Sequence, residues 1–158
     1  KDLRQPGPWV MFLGGFGECL PYHHNRLSLD PVKKDQWGIP ILNTRFEWGE
    51  NERTMATHMA TEAKTMLEAA SAMMVQSLAG ELPPGGRAIH EMGTARMGRD
   101  PKTSYLNGFN QAHEVANLFV TDGACMPSTG CQNPSLTYMA LTARAANHAV
   151  ERMKQNQL

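Results

Sequence analysis

The sequence predicts an α+β fold composed of two different parts. Residues 1–88 combine short strand-like segments with one long amphipathic stretch, which predicts an antiparallel sheet and a long helix. Residues 89–158 end in a compact apolar run, a loop and a second amphipathic stretch. This strand–loop–helix order is typical of an α/β domain. We therefore expect residues 1–88 and 89–158 to belong to different domains.

Three segments of the first part have the composition of strands. They are "PWVMFLGGFGE" at 8–18, "NRLSLDP" at 25–31 and "ILNTRFEWG" at 41–49. Leu27 and Leu29 alternate with polar residues, and Pro31 is expected to end the second strand. Gly38 and Pro40 indicate a turn before the third strand. Successive strands joined by short turns predict antiparallel pairing.

A long helix is expected from about Asn51 to Leu78. Its apolar residues recur at steps of three and four and would form one buried face. These residues are Met55, Met59, Ala63, Met66, Leu67, Ala70, Met73 and Met74. Methionine is a flexible filler of protein cores, so this face is interpreted as packing surface. The segment "GELPPGG" ends the helix.

The second part predicts a buried strand, a loop and a final helix. "NLFVTDGA" at 117–124 is the strand and "CMPSTGCQ" at 125–132 is the loop. Asn133 is expected to be the N-cap of the helix, with Pro134 at its first position. Leu136, Met139 and Val150 then follow helical spacing.

Charge and composition exclude several classes of protein. Lys plus Arg and Asp plus Glu number 15 each and form no long run of one sign, which argues against binding to nucleic acid or an anionic membrane. No apolar stretch approaches the roughly 20 residues of a membrane span. The three cysteines contain no C-x-x-C pair and indicate free or structural thiols. Because the sequence opens with Lys1, we expect a segment of a longer protein, and the compartment is left open.

His90 and Asn133 are the main candidates for chemistry. His90 heads "HEMGTARMG", and Asn133 lies at a predicted helix start, where free N–H groups and the helix dipole favour negative charge. A base near such a helix end suits removal of a proton from an alcohol as its hydride passes to an electron acceptor. The alternative is a structural histidine and a simple helix cap.

The same segments resemble a known family. "HEMGTARMG", "NLFVTDGACMPSTGCQNPSLT" and "YMALTARAANHAV", within Ile89 to Val150, resemble the C-terminal signature of the glucose–methanol–choline (GMC) oxidoreductases. The resemblance implies an FAD enzyme that oxidises alcohols and sugars. "NRLSLD" and "KKDQWGIP" resemble substrate-domain strands of its sugar-dehydrogenase branch. By this resemblance, residues 1–88 are part of a substrate-binding domain. Residues 89–158 then contain the catalytic histidine and the closing strand and helix of a Rossmann-like FAD domain.

The resemblance also implies roles for individual residues. His90 matches the catalytic histidine above the flavin ring, and Asn133 matches the second active-site position. Asp122 and Gly123 match the pair that contacts the ribityl–pyrophosphate part of FAD. Four residues match the backbone that approaches the pyrimidine edge of the flavin: Pro134, Ser135, Leu136 and Thr137.

The implied partners are a sugar, polyol or other alcohol as substrate and the missing N-terminal part of the same enzyme. The dinucleotide fingerprint G-x-G-x-x-G is absent from the chain, and "LGGFGE" lacks its spacing. The chain alone is therefore expected to bind FAD weakly and to be inactive. The electron acceptor is left open. The alternative function is a non-catalytic interaction module that retains this scaffold.

The remaining candidates have simpler interpretations. Cys19, His23 and His24 lack a second ligand pair with zinc-like spacing, so no metal is expected. The two histidines are alternatively candidates for lining a substrate cavity. Arg96 and Arg144 are interpreted as structural ion pairs, with anchoring of substrate or a cofactor phosphate as the alternative.

Overall fold

The part of the chain that the computed structural model describes, residues 4–77, 82–87 and 89–158, contains two helices and one two-stranded sheet. In chain order the elements are β1 (Arg26–Lys34), β2 (Pro40–Arg45), α1 (Glu50–Ala69), a 3₁₀ turn (Gly123–Cys125) and α2 (Ser135–Lys154). This is the α+β class that the sequence predicts. Neither α1 nor α2, the helices of the described residues, has the length and apolarity that a membrane crossing requires.

The chain forms two compact units. The first consists of Lys1–Gly17 with Glu50–Leu82, and the second of Glu18–Gly49 with Pro83–Leu158. The prediction of a helix as far as Leu78 is wrong, because α1 ends at Ala69 and the described residues 70–77 are not helical. The domain boundary expected at residue 88 lies outside the described residues. The assignment of 1–88 and 89–158 to two domains stays a prediction.

In the first unit, two glycines let the segment before Glu18 pack closely on α1. A Cβ atom on Gly15 would lie 2.6 Å from Sδ of Met59, and one on Gly17 would lie 2.6 Å from Sδ of Met55. The backbone of this segment contacts methionine side chains of α1 and does not pair with another strand. The prediction of a strand over 8–18 is therefore wrong.

The predicted buried face of α1 is only partly buried. Met55, Met59, Ala63 and Leu67 are half-buried, whereas Met66 is exposed. The helix ends because Ser71 has a left-handed φ of 64° and the N–H of Ala72 donates to the carbonyl of Leu67 at 3.0 Å. Met73 and Met74 lie beyond this turn and are exposed, so their assignment to the buried face is wrong.

In the second unit, β1 and β2 form an antiparallel hairpin in which Leu29 is paired with Leu42. The register is interrupted after Leu29, and Pro31 lies in this irregular stretch. Asp30 Oδ1 accepts the N–H groups of Val32 and Lys33 at 2.9 and 2.8 Å. A strand tolerates proline at such an irregularity, so β1 continues past Pro31, contrary to the prediction.

The core of the second unit is built from irregular segments. Leu106, Ala112 and Cys125 are buried at its centre. Around them pack Ala95, Met97, Val120, Met126 and Leu141. The segment 117–124 makes an isolated bridge from Phe119 to Gln111 and not the continuous strand that was predicted. The segment around Gln111 that faces 117–124 is a tight turn and not a long strand, so the strand pairing stays limited to this bridge.

Cys125 and Cys131, which form no disulfide, should differ in reactivity. Cys125 is buried, and desolvation raises the pKa of its thiol, whereas Cys131 is exposed. Because the thiolate is the reactive form, a disulfide reagent at neutral pH should modify Cys131 quickly and Cys125 only after unfolding. Peptide mapping after timed labelling checks this. Equal labelling of Cys125 and Cys131 in the folded protein would contradict it.

Candidate active site

The two candidate catalytic side chains lie in contact. Nε2 of His90 is 3.0 Å from Oδ1 of Asn133, although the residues are far apart in the sequence. His90 is half-buried and Asn133 is exposed. A protonated Nε2 donates to Oδ1 in this arrangement. A ring with a free lone pair at Nε2 instead requires the amide N–H₂ of Asn133 to face it. A hydrogen bond between the two side chains can therefore form whether or not Nε2 carries a hydrogen.

Backbone hydrogen bonds place the segment that follows His90. The N–H groups of Ala95 and Met97 donate to the carbonyls of Ala124 and Cys125 at 3.0 and 2.8 Å. Residues 93–97 consequently run beside the 3₁₀ turn and reach the buried core through Met97. This pairing explains how a flexible glycine-containing loop has a defined position.

Two left-handed residues flank the short loop that contains His90. Ile89 has a φ of 59° and Gly93 has a φ of 88°. The left-handed region suits glycine but is unusual for a β-branched side chain such as isoleucine. Strained residues of this kind concentrate at functional sites, where the surrounding structure maintains them. The conformation of Ile89 is consistent with a site at His90.

Helix α2 begins beside the His90–Asn133 pair. Pro134 occupies the cap position without a side-chain hydrogen bond, and Ser135 is the first helical residue. The expectation of Asn133 as N-cap and Pro134 as first helical residue is wrong, because the amide of Asn133 faces His90 instead. The first N–H groups of any α-helix lack intrahelical acceptors. The start of α2 therefore offers backbone donors next to the pair.

Asp122 and Gly123 have local structural roles close to the same loop. Asp122 Oδ1 accepts the N–H of Ala124 at 2.9 Å and caps the 3₁₀ turn. A Cβ atom on Gly123 would lie 3.0 Å from both Sδ of Met92 and Oη of Tyr138. A larger residue at this position would require its neighbours, among them Met92 and Tyr138, to shift by a few tenths of an ångström. The two residues thus belong to the same small region as His90 and Asn133.

Four other histidines have structural partners of their own. His113 lies 3.2 Å from the hydroxyl of Ser104, and His148 stacks on Phe109 with ring centroids 4.3 Å apart. His58 faces Glu62 on α1. Tyr22 stacks on His24. In the described part of the chain, no group of metal-binding side chains occurs.

In the part of the chain that the structure describes, neither of the two arginine candidates makes the expected ion pair. Arg144 donates to Asn110 Oδ1 at 3.4 Å and lies over the ring of Phe109, so its partners are neutral. Arg96 lines a shallow surface cleft of about 250 Å³ together with Lys102 and Tyr105. Anchoring of substrate or a cofactor phosphate by either arginine stays a prediction.

Two residues near the pair escaped the sequence reasoning. The hydroxyl of Tyr138 donates to Sδ of Met92 at 3.5 Å, which connects α2 with the His90 loop. The sequence predicts Tyr138 as a residue of the final helix and Met92 as a residue of the His90 loop, with no contact between them. Neither has a motif of its own, because a contact between two irregularly spaced positions leaves no local signal.

Comparison with known proteins identifies the family. The family model described as GMC oxidoreductase matches residues 21–142, which is more than half of the chain. The chain belongs to the GMC oxidoreductase family and corresponds to the C-terminal part of its members.

Relatives of known activity include three dehydrogenases. The chain is 36% identical over 137 residues to the 2-methyl-1,2-propanediol dehydrogenase of Mycolicibacterium austroafricanum, a match that covers 87% of the chain and 24% of the relative. It is 33% identical over 147 residues to the gluconate 2-dehydrogenase flavoprotein of Pantoea cypripedii, with 89% and 24% covered. It is 34% identical over 139 residues to the fructose dehydrogenase large subunit of Gluconobacter japonicus, with 87% and 25% covered. The chain thus spans about a quarter of the length of these relatives.

Proposed function

We propose that this chain is part of an FAD-dependent oxidoreductase that oxidises a CH–OH group, with His90 as the base. The observation that carries the proposal is the 3.0 Å contact of His90 with Asn133 beside the start of α2. Family membership supports the oxidoreductase class. The names of the relatives include a diol, a sugar acid and a sugar, which supports a sugar, polyol or related alcohol as substrate.

The residues beside the pair fit a flavin. Ser135, Leu136 and Thr137 are exposed at the start of α2, and no side chain of the described residues caps this end. Free N–H groups and the helix dipole favour negative charge, which suits the electron-rich pyrimidine edge of the flavin. The backbone of Pro134 would also approach the pyrimidine edge of the flavin. Asp122 and Gly123 would hold the ribityl–pyrophosphate part.

The chain's own residues would position the substrate and move one proton. His90 would accept the hydroxyl proton of the substrate at a ring nitrogen, as a general base. Asn133 would hydrogen-bond to the same substrate oxygen and hold it against the imidazole. Bound FAD supplies the acceptor for the hydride at its N5 atom. The contact between His90 and Asn133 places the two side chains close enough for both to reach one substrate oxygen.

The partner that we propose for the chain is the remaining part of the same enzyme. The accessible surface of the chain is 12837 Å² for a mass of 17.5 kDa. A compact monomer of this mass exposes about 7900 Å², and two independent compact units of half the mass expose about 9500 Å² together. The excess includes large apolar side chains such as Trp9 and Phe12. Such surface is typical of protein that is covered by further protein.

Anaerobic titration of the full-length enzyme tests the proposal. The absorbance of oxidised flavin should disappear on addition of one class of compound from a panel of aldoses, polyols and simple alcohols. Bleaching by one class would support the reaction and identify the substrate class. A bound flavin that no alcohol reduces would overturn the proposed reaction. A full-length protein without flavin would favour the alternative, a non-catalytic interaction module.

A further inference from the structure

Tyr138 joins three pieces of the candidate site. Its hydroxyl donates to Sδ of Met92, two residues after His90, at 3.5 Å. The same oxygen lies 3.0 Å from the position that a Cβ atom on Gly123 would occupy. Tyr138 itself is in α2, and its N–H donates to the carbonyl of Pro134 at 3.0 Å. One side chain therefore contacts the His90 loop and the turn proposed to hold the cofactor, and it extends from the helix that follows Asn133.

We propose that Tyr138 is a positioning residue that holds the His90 loop at its working distance from Asn133. The inference rests on the proposed function, since it concerns the same base. Tyr138 would act through Met92 and would not touch the reacting atoms.

The Met92–Tyr138 contact lies in the part of the loop that precedes its backbone pairing with the 3₁₀ turn. Ile89 and Gly93 are both left-handed, so the stretch from His90 to Met92 lies between two sharp changes of backbone direction. The N–H of Gly93 makes a long bond of 3.4 Å to the carbonyl of Gly123. Within this stretch, the contact of Met92 with Tyr138 fixes a side chain directly against α2. Sulfur is a weak acceptor, so the effect expected from losing this one bond is moderate.

The tyrosine stays a donor over a wide pH range. Desolvation raises the pKa of the Tyr138 phenol, and the nearby Asp122 and Cys125 add to the rise. The hydroxyl therefore keeps its proton in neutral and mildly alkaline solution. A positioning contact of this type would not weaken in the pH range where a histidine changes its charge.

The experiment compares Tyr138→Phe and Met92→Leu with the unchanged full-length flavoenzyme. Tyr138→Phe removes only the hydroxyl, and Met92→Leu removes only the sulfur acceptor at similar volume. Each should lower the limiting rate of flavin reduction about tenfold, because a small displacement of the base costs rate. Substrate affinity should change little. Thr142→Val is the matched control, since it removes an exposed hydroxyl one turn further along α2 that donates to the backbone carbonyl of Tyr138 and leaves the Tyr138 side chain in place.

Two further measurements separate positioning from a general structural effect. In a His90→Ala background, Tyr138→Phe should cause no further slowing, because the residues act as one unit. The ring signals of ¹³C-labelled His90 should shift in the cofactor-free protein when Tyr138 or Met92 is replaced, and not when Thr142 is. Unchanged rates and ring signals in both variants, or additive slowing in the His90→Ala background, would overturn the inference. If His90→Ala itself has no effect, the proposed function fails first and the inference with it.

Discussion

Replacement of His90 by alanine should slow flavin reduction by about 10²–10⁴-fold, the usual range for loss of a general base. The physical reason is that the hydroxyl proton would lose its acceptor, the imidazole that now contacts Asn133. The measurement is the limiting rate of flavin bleaching after anaerobic rapid mixing of the full-length enzyme with saturating substrate. Flavin content should stay at the level of the unchanged enzyme, because His90 is proposed to act on the substrate.

His58→Ala is the control for this experiment. The side chain of His58 on α1 is 74% exposed and faces Glu62, so its loss should leave the rate unchanged. A His90→Ala enzyme that is reduced as fast as the unchanged enzyme would exclude His90 as the base. Equal slowing by His58→Ala and His90→Ala would indicate a general effect on folding and not loss of a base.

Local periodicity explains which elements the sequence predicted well. Helix α2 runs over Ser135–Lys154 because its apolar residues follow helical spacing. The β1–β2 hairpin follows from short alternating segments around a turn. In that turn Gly38 has a φ of 81°, and Asp35 Oδ1 accepts the N–H groups of Trp37 and Ile39. These signals lie within a few residues of the element that they specify.

Long-range packing explains which elements were missed. The apolar stretch 8–18 looks like a strand, but its glycines pack backbone against Met55 and Met59 of α1. The buried core around Leu106, Ala112 and Cys125 comes from turns with no repeating pattern. A periodic pattern in the sequence cannot predict a core whose residues are separated by irregular intervals. In such a core, the direction of each side chain depends on the conformation of the turn that contains it.

The candidate site shows the same limit. The charge-stabilising property of a helix start and the base character of histidine suggested that His90 and Asn133 act together. The resemblance to GMC oxidoreductases supplied their relation to a flavin. The structure adds the contact between them and the supporting contact of Tyr138 with Met92. Such supporting contacts depend on three-dimensional proximity alone, so residue type and spacing could not predict them.

Leu106→Ala should lower the free energy of unfolding of the second unit by about 2–5 kcal/mol, the usual cost of a large-to-small change in a core. Leu106 is fully buried, and its backbone is bonded on both sides to the segment that supports the His90 loop. Its N–H donates to the carbonyl of Arg96 at 3.2 Å and its carbonyl accepts the N–H of Gly98 at 2.8 Å. The cavity would therefore weaken the support of residues 93–97. Urea unfolding followed by tryptophan fluorescence and circular dichroism gives the change.

Two leucine variants decide whether the loss comes from the cavity. Leu106→Met conserves volume and should cost less than about 1.5 kcal/mol. Leu118→Ala removes the same atoms as Leu106→Ala from a side chain that is 38% exposed in the same unit, so its effect should be clearly smaller. If Leu118→Ala and Leu106→Ala destabilise equally, burial at Leu106 is not what holds this unit together. If only Leu106→Ala destabilises strongly and also shifts the ring signals of His90, then the irregular core is the support on which the proposed base depends.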